Sequence, residues 1–204
     1  MSTTSHHDPS LAILHQFFTT ATQHASAAMC HWTRGRVSLT LDELTRTSLE
    51  EAMFQFEEAH ELVTMVVLGV EGSDGAQLIL AFDDASGRRL AASLLRREPS
   101  EGPEWTELEK SAVMETGNIL ASAYLNELTR LANRKLVPTA PQFVQDYGMS
   151  VLEQALIMQA MTSDEVMVSR TRFEFDSEQV NWKLMFFPDE TLRESLQRAV
   201  LAAS

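Results

Sequence analysis

Two side chains three residues apart, Glu115 and Asn118, place a carboxylate and a carboxamide on the same side of one helical turn. A carboxylate can grip a cation, and a carboxamide can accept and donate hydrogen bonds at once, so the pair suits holding and positioning another molecule. The pair sits in ELEKSAVMETGNILASAYLNELTRL, Glu107 to Leu131. At about 100° per residue, Val113, Gly117, Leu120, Tyr124, Leu128 and Leu131 gather on one side of that helix, widened by Met114, Ala121 and Leu125. Ser111, Glu115, Asn118, Ser122 and Asn126 form the opposite stripe. Helix propensity does not ask for Ser or Asn there; Ala, Lys or Glu would serve a solvated face better. Gly117 costs the helix about 1 kcal/mol relative to Ala, and its use would be close approach of another backbone. Leu108 and Ile119 flank the stripe as partner contacts would. A Glu-x-x-Asn pair alone describes an ordinary solvated face; the longer spacing sets this one apart.

The elements that must position this helix recur in order. A helix is predicted from Ser10 to Thr33 and stopped by Gly35, then a short strand from Arg36 to Leu41 and a helix from Asp42 to His60. Strands Val63–Val70 and Ala76–Phe82 follow, joined by EGSDG, then a helix from Ala85 to Arg97 and the linker EPSEGP. After the linker come the long helix, Trp105 to Ala132, and an extended piece, Lys135 to Thr139, that Pro141 would terminate. A helix from Gln142 to Met161, strands Glu165–Phe175 and Gln179–Phe187, and a helix from Glu190 to Ala203 complete the chain. In the last strand Val180, Trp182, Leu184 and Phe186 share a face, and the strand ending at Phe82 reads as covered on both faces. Both halves thus read helix, strand, helix, hairpin, helix. An offset of 99 residues lays Gln16 on Glu115, Thr19 on Asn118 and Asp42 on Pro141. The expected fold is α+β: one domain over 1–204 with two pseudo-repeats, about 9–97 and 103–204, whose hairpins merge into a mostly antiparallel sheet covered by long helices.

Composition excludes several classes. The formal net charge of −13, with no basic stripe, argues against nucleic acid and anionic membrane. No run approaches the roughly 20 apolar residues of a bilayer span. MSTTSHHDPS lacks the regions of a signal peptide and reads as a disordered lead-in. Cys30, the one cysteine, fits a reducing compartment and reads as a core residue. His6 and His7 fall in the lead-in, and His15, His24 and His31 lack i, i+4 spacing, so no metal site is expected. Gly69, Gly72 and Gly75 mark a hairpin turn rather than a phosphate loop, since no Lys-Ser/Thr follows. The methionines, Met114 and Met167 among them, read as core filler, and no G-x-S-x-G or Cys/His nucleophile pattern appears.

Ser111, Glu115, Asn118 and Pro141 fit the spacing Asp/Ser-x3-Glu-x2-Asn-x22-Pro. With METGNILASAYLNEL and RKLVPTAP around them, they resemble the signature of the CheC/CheX/FliY family of chemotaxis phosphatases. The resemblance implies a CheC-like fold and a phosphatase that stimulates hydrolysis of the aspartyl phosphate of a CheY-like response regulator, in chemotaxis or two-component signalling. That acyl phosphate is already activated and its hydrolysis passes through a loose transition state, so a helper mainly positions the water. Under the resemblance Asn118 orients that water, as the glutamine of GTPases does. Glu115 pairs with a receiver lysine to dock it, and Ser111 and Pro141 are supporting. No cofactor of the chain's own is implied; Mg²⁺ is expected on the partner receiver. CheD, a deamidase partner of some CheC proteins, is a further candidate partner, and the expected location is the cytoplasm. The first half departs from the pattern, with Gln16, Thr19 and Asp42 where Glu, Asn and Pro would stand, so one working site is expected. The alternative is a receiver-binding adaptor or flagellar-switch component on the same fold, without catalysis.

Overall fold

The computed structural model describes residues 9–48, 51, 62–73, 75–100, 102, 104–147, 150 and 165–203. In chain order these form α1 (Pro9–Thr33), β1 (Val37–Ser48), β2 (Leu62–Gly69), β3 (Gln77–Phe82) and α2 (Asp84–Leu95). Then come α3 (Glu107–Ala132), β4 (Gln142–Tyr147), β5 (Glu165–Phe175), β6 (Glu178–Phe187) and α4 (Glu190–Ala203). The strands build one sheet in the order β1-β5-β6-β3-β2-β4, and every pairing is antiparallel. The fold is α+β, as expected. Exchanging the halves (β1 with β4, β2 with β5, β3 with β6) reverses that order onto itself. The edge strands have crossed over: β1 pairs with the second half's β5, and β4 pairs with the first half's β2.

Two helix expectations are corrected. Residues 42–48 continue β1, and 142–147 form β4. The remainders of the two predicted helices, 49–60 and 148–161, lie outside the described residues apart from 51 and 150, as does the predicted lead-in of 1–10 but for Pro9 and Ser10, which open α1. The cause is the same in both halves. Each segment finds a strand partner far away in the chain, Glu43 with Arg170 in one half and Gln142 with Val67 in the other, and non-local pairing overrides a local amphipathic pattern. In β1 the misreading is compounded by a register shift between Leu41 and Glu43, which interrupts the period-2 signal. Pro141 lies between the extended piece, in which Pro138 bridges Val70, and β4, which begins at the next residue. With residue 142 paired to Val67, Pro141 stands just before an edge strand, where a missing N–H is tolerated.

One face of the sheet carries α1 and α3. Leu14, Phe18, Ala21, Thr22, Ala25 and Met29 of α1 are buried, and so are the residues 99 positions on: Val113, Gly117, Leu120, Ala121, Tyr124 and Leu128. The Phe18 ring meets Tyr124 edge-on at 5.7 Å and Phe186 at 5.9 Å. Such pairs add about 0.5–1.5 kcal/mol beyond burial. Trp182, Leu184 and Phe186 of β6 join this core, with Val180 packed at its margin. The other face holds a second buried layer that includes Met65, Ile79, Ala81, Met185 and Phe187, so β3 is covered on both sides as its sequence indicates. Cys30, expected in the core, is exposed on α1.

The start of α3 is fixed by a buried carboxylate. Thr106 caps the helix and Glu109 completes the capping box, accepting from the Thr106 N–H at 2.9 Å and its hydroxyl at 2.8 Å. Arg97 reaches the same carboxylate at 3.0 Å, and Glu109 is fully buried. Burial alone would raise its pKa, but hydrogen bonds from Ser100 and Thr106 and the charge of Arg97 outweigh that and lower it from 4.5 to about 2. A depressed carboxyl stabilises the fold fully above its unfolded pKa and loses that contribution as pH falls through its folded one. Between pH 4.5 and pH 2, Glu109 should therefore cost the protein on the order of 3 kcal/mol of stability. In Glu109→Gln that component of the pH dependence should vanish, with lower stability at pH 7. Urea unfolding across this pH range measures both.

Candidate functional site

Ser111, Glu115 and Asn118 lie on the side of α3 turned away from the core, as the helical period requires. Ser111 and Glu115 are exposed and Asn118 is half-buried; Ser122 and Asn126 continue the stripe, half-buried and exposed. The Ser111 hydroxyl donates to the Glu107 carbonyl at 2.8 Å, so it is spent on its own helix. Among the described residues neither Glu115 nor Asn118 has a hydrogen-bond or ion-pair partner. Nearby charges are already matched: Lys110 pairs with Glu107 at 2.8 Å. The flanking Leu108 is 56% exposed and Ile119 half-buried, leaving an apolar rim beside the polar pair.

What sets the height of this stripe above the sheet is Gly117. A Cβ built there would lie 2.6 Å from Val66 Cγ1 and 3.1 Å from Val66 Cβ, so only a residue without a side chain lets α3 settle onto β2. The approach is to a valine side chain, not to the backbone expected from sequence. The first half has Phe18 at the corresponding position, fully buried. Lys110, on the flank that also carries Met114 and Asn118, stands over the Phe143 ring at 5.7 Å. That flank therefore faces β4. Trp105, just before α3, also packs on Phe143, at 5.3 Å. Pro141 is half-buried, and the strand it precedes, β4, pairs with β2, on whose Val66 Gly117 packs, so Pro141 leads into the strand next to the one that seats this turn of α3. Ser111, Glu115 and Asn118 are thus gathered on one face, with Pro141 alongside at the sheet edge and not hydrogen-bonded to them.

The corresponding positions of the first half are occupied differently. Gln16 is exposed, but the Thr19 hydroxyl donates to the His15 carbonyl at 2.8 Å, and Asp42 is ion-paired to Arg172 at 2.5 Å. Among the described residues no three His, Cys, Asp or Glu side chains gather as a metal site. His24 pairs with Glu127 at 2.6 Å. No described helix is long and apolar enough to cross a membrane. The residue that sequence reasoning missed is Val66, whose methyl group Gly117 accommodates; a valine within a strand carries no local mark of such a role.

Residues 108–144 match the model of the CheC-like family, a span that holds Ser111, Glu115, Asn118 and Pro141. A protein named CheC1 of Halobacterium salinarum is 28% identical over 115 residues, 56% of this chain and 57% of that one, so the match spans little more than half of that relative's length. The CheY-P phosphatase CheC of Bacillus subtilis is 23% identical over 177 residues, 85% of each. In fold, the chain is similar to FliY of Thermotoga maritima (TM-score 0.67, 15% identity, 100% of both chains). It is also similar to a chain of the FliG–FliM complex of H. pylori (TM-score 0.67, 10% identity, 94% of this chain and 98% of that one). A third likeness is to a chain of the CheX–CheY–BeF3–Mg complex of Borrelia burgdorferi (TM-score 0.53, 15% identity, 85% of this chain and 97% of that one).

The contact beneath the site is directly testable. Gly117→Ala should destabilise the protein by about 1–3 kcal/mol through overpacking, although Ala alone favours a helix by about 1 kcal/mol. Removing the opposing methyl groups in Val66→Ala should relieve that cost. A double-mutant cycle by urea unfolding should thus give a favourable coupling between residues 66 and 117; additive effects would mean that they do not touch.

Proposed function

We propose that this chain, which belongs to the CheC/CheX/FliY family, stimulates hydrolysis of the aspartyl phosphate on a CheY-like receiver domain through Glu115 and Asn118 of α3. The observation that carries this reading is that these two side chains are unpartnered among the described residues, on an outward face raised over a tightly seated helix. Asn118 enters the receiver's phosphorylation site, where its carboxamide oxygen accepts from the attacking water and its NH₂ donates to a neighbouring acceptor. The acyl phosphate and the Mg²⁺ belong to the receiver, so what Asn118 supplies is in-line placement of the water. Glu115, one turn away, pairs with a cationic side chain of the receiver and fixes the docking angle. Leu108 and Ile119 provide the apolar rim of the contact. Ser111 and Pro141 support: the hydroxyl steadies the turn before Glu115, and the proline shapes the sheet edge beside Asn118.

The first half carries no second site on this reading. Thr19 spends its hydroxyl on its own helix and no carboxamide stands in its place. A receiver-binding role without hydrolysis is the competing reading, favoured by the likeness in fold to FliM at low identity. Both readings place the work beside a receiver in the cytoplasm.

Phosphate release from a phosphorylated CheY-like receiver separates the two. Asn118→Ala should lower the stimulated rate about a hundredfold or more while binding to the beryllofluoride-loaded receiver stays within about twofold. Glu115→Ala should weaken that binding about tenfold, and Gln16→Ala with Thr19→Ala should change neither. Stimulation that survives in Asn118→Ala, or that never occurs with the unaltered chain, would sink the catalytic reading. Asn118→Ala should also keep or slightly raise the melting temperature, since Ala is the better helix former by about 0.6 kcal/mol.

A further inference from the structure

Away from α3, the C-terminal ends of α1 and α2 meet at the start of β1 and enclose a cleft of about 420 Å³. Trp32, Arg34, Arg36, Ser93, Leu94 and Arg96 line it, and no carboxylate does. In a chain with 29 acidic and 16 basic residues, three arginines around one opening form a local reversal of sign. Arg36 is already engaged: its guanidinium holds Asp176 bidentately at 2.8 and 2.5 Å, donates to the Ser93 hydroxyl and stacks over Phe175 at 4.7 Å. Arg34 and Arg96 are exposed, and among the described residues neither has a carboxylate partner.

The ordinary use of a cation at a helix C-terminus is to offset the terminal carbonyls. Here backbone groups already serve those carbonyls. The Gly35 N–H donates to the Cys30 carbonyl at 2.7 Å and that of Arg97 to the Ala92 carbonyl at 3.0 Å. Both arginines also stand in the left-handed region, Arg34 at φ 59° and Arg96 at φ 55°. Gly or Asn is favoured at such caps, and the second half has Asn133 at the end of α3. Of the five described non-glycine residues with positive φ, these two each put a guanidinium on the lining of the same cleft. Strain kept at two converging positions points to function. Beside them Trp32 is 39% exposed, whereas Trp105 and Trp182 are 5% and 2% exposed.

We infer that this cleft docks a short acidic segment of a partner protein, its carboxylates on Arg34 and Arg96 and an apolar side chain against Trp32 and Leu94. Guanidinium forks match carboxylates bidentately. A small free anion would leave the indole and Leu94 unused. A long polyanion such as nucleic acid would run beyond the patch onto a surface whose net charge is −13, while a short segment stays within about one Debye length of the arginines.

The test is titration of the whole 204-residue chain with a labelled eight-residue peptide of aspartate and glutamate carrying two leucines, read by anisotropy and by tryptophan emission. Saturable binding is expected, weakened about tenfold or more in the Arg34→Ala/Arg96→Ala variant and by added salt. The emission change should be absent in Trp32→Phe. No saturation by about 1 mM peptide, or equal binding by the double variant, would overturn the inference. Displacement by equimolar inorganic phosphate, or equal affinity for a DNA oligonucleotide, would overturn it in favour of those anions. Arg34→Gly and Arg96→Gly should weaken the peptide yet keep or raise the melting temperature; a lowered melting temperature would show that the arginines serve the fold instead.

Discussion

The helix that carries Glu115 and Asn118 lies where it does because residue 117 has no side chain. With any Cβ there, α3 would meet Val66 at 2.6 Å and would have to rise or roll on the sheet. Either movement would shift Asn118, its immediate neighbour, relative to the β4 edge. At the corresponding place in the other half, α1 meets the core through the Phe18 ring, packed against Tyr124 and Phe186. The two halves share one pattern of buried positions, yet they seat their long helices with different pieces: a ring under one, bare backbone under the other.

Strand exchange makes this asymmetry a property of the whole molecule. Gly117 belongs to the second half, but Val66 and Leu68, on which it packs, belong to the first. Strand β4, which begins just after Pro141, is held at its place by β2 of the first half. Thus neither half could present the polar face alone. The half that lacks a Glu/Asn pair still supplies the strand on which the pair is raised, which gives a physical reason for its core to be preserved while its outward residues differ.

Much of this was legible in local patterns. α1, α3, α4 and both hairpins follow from periods of 3.6 and 2 and from turn residues, because those signals are carried within one element. The 99-residue offset aligned the buried positions of α1 and α3 even though almost no identities survive. What local pattern could not carry was partnership at a distance. Residues 42–48 and 142–147 read as helix because their pairings, with β5 and β2, are invisible in a window of neighbours. Cys30 read as core by its residue type and apolar neighbours, yet it falls outside the stripe set by Ala25 and Met29. Likewise Arg34 and Arg96 are 62 positions apart and meet only because two helix ends converge. The polar stripe of α3 was legible down to Ser122 and Asn126, while the valine that sets its height was not.

Rigid seating matters in a particular way on the proposed reading. A loose transition state asks little of the helper except a fixed direction for one water, so the value of Asn118 depends on how well its backbone is held. That backbone is gripped on three sides. Below, Gly117 meets Val66; towards the N-terminus, the buried Glu109 ties Thr106 and Arg97 to the first turn; on the core side, Tyr124 closes against Phe18 and donates to or accepts from Ser169 at 2.9 Å. None of these contacts touches the outward face. Stability is therefore drawn from one side of α3 and recognition from the other, so residues poorly suited to a helix interior, an asparagine among serines, can occupy the outer side with little loss of fold.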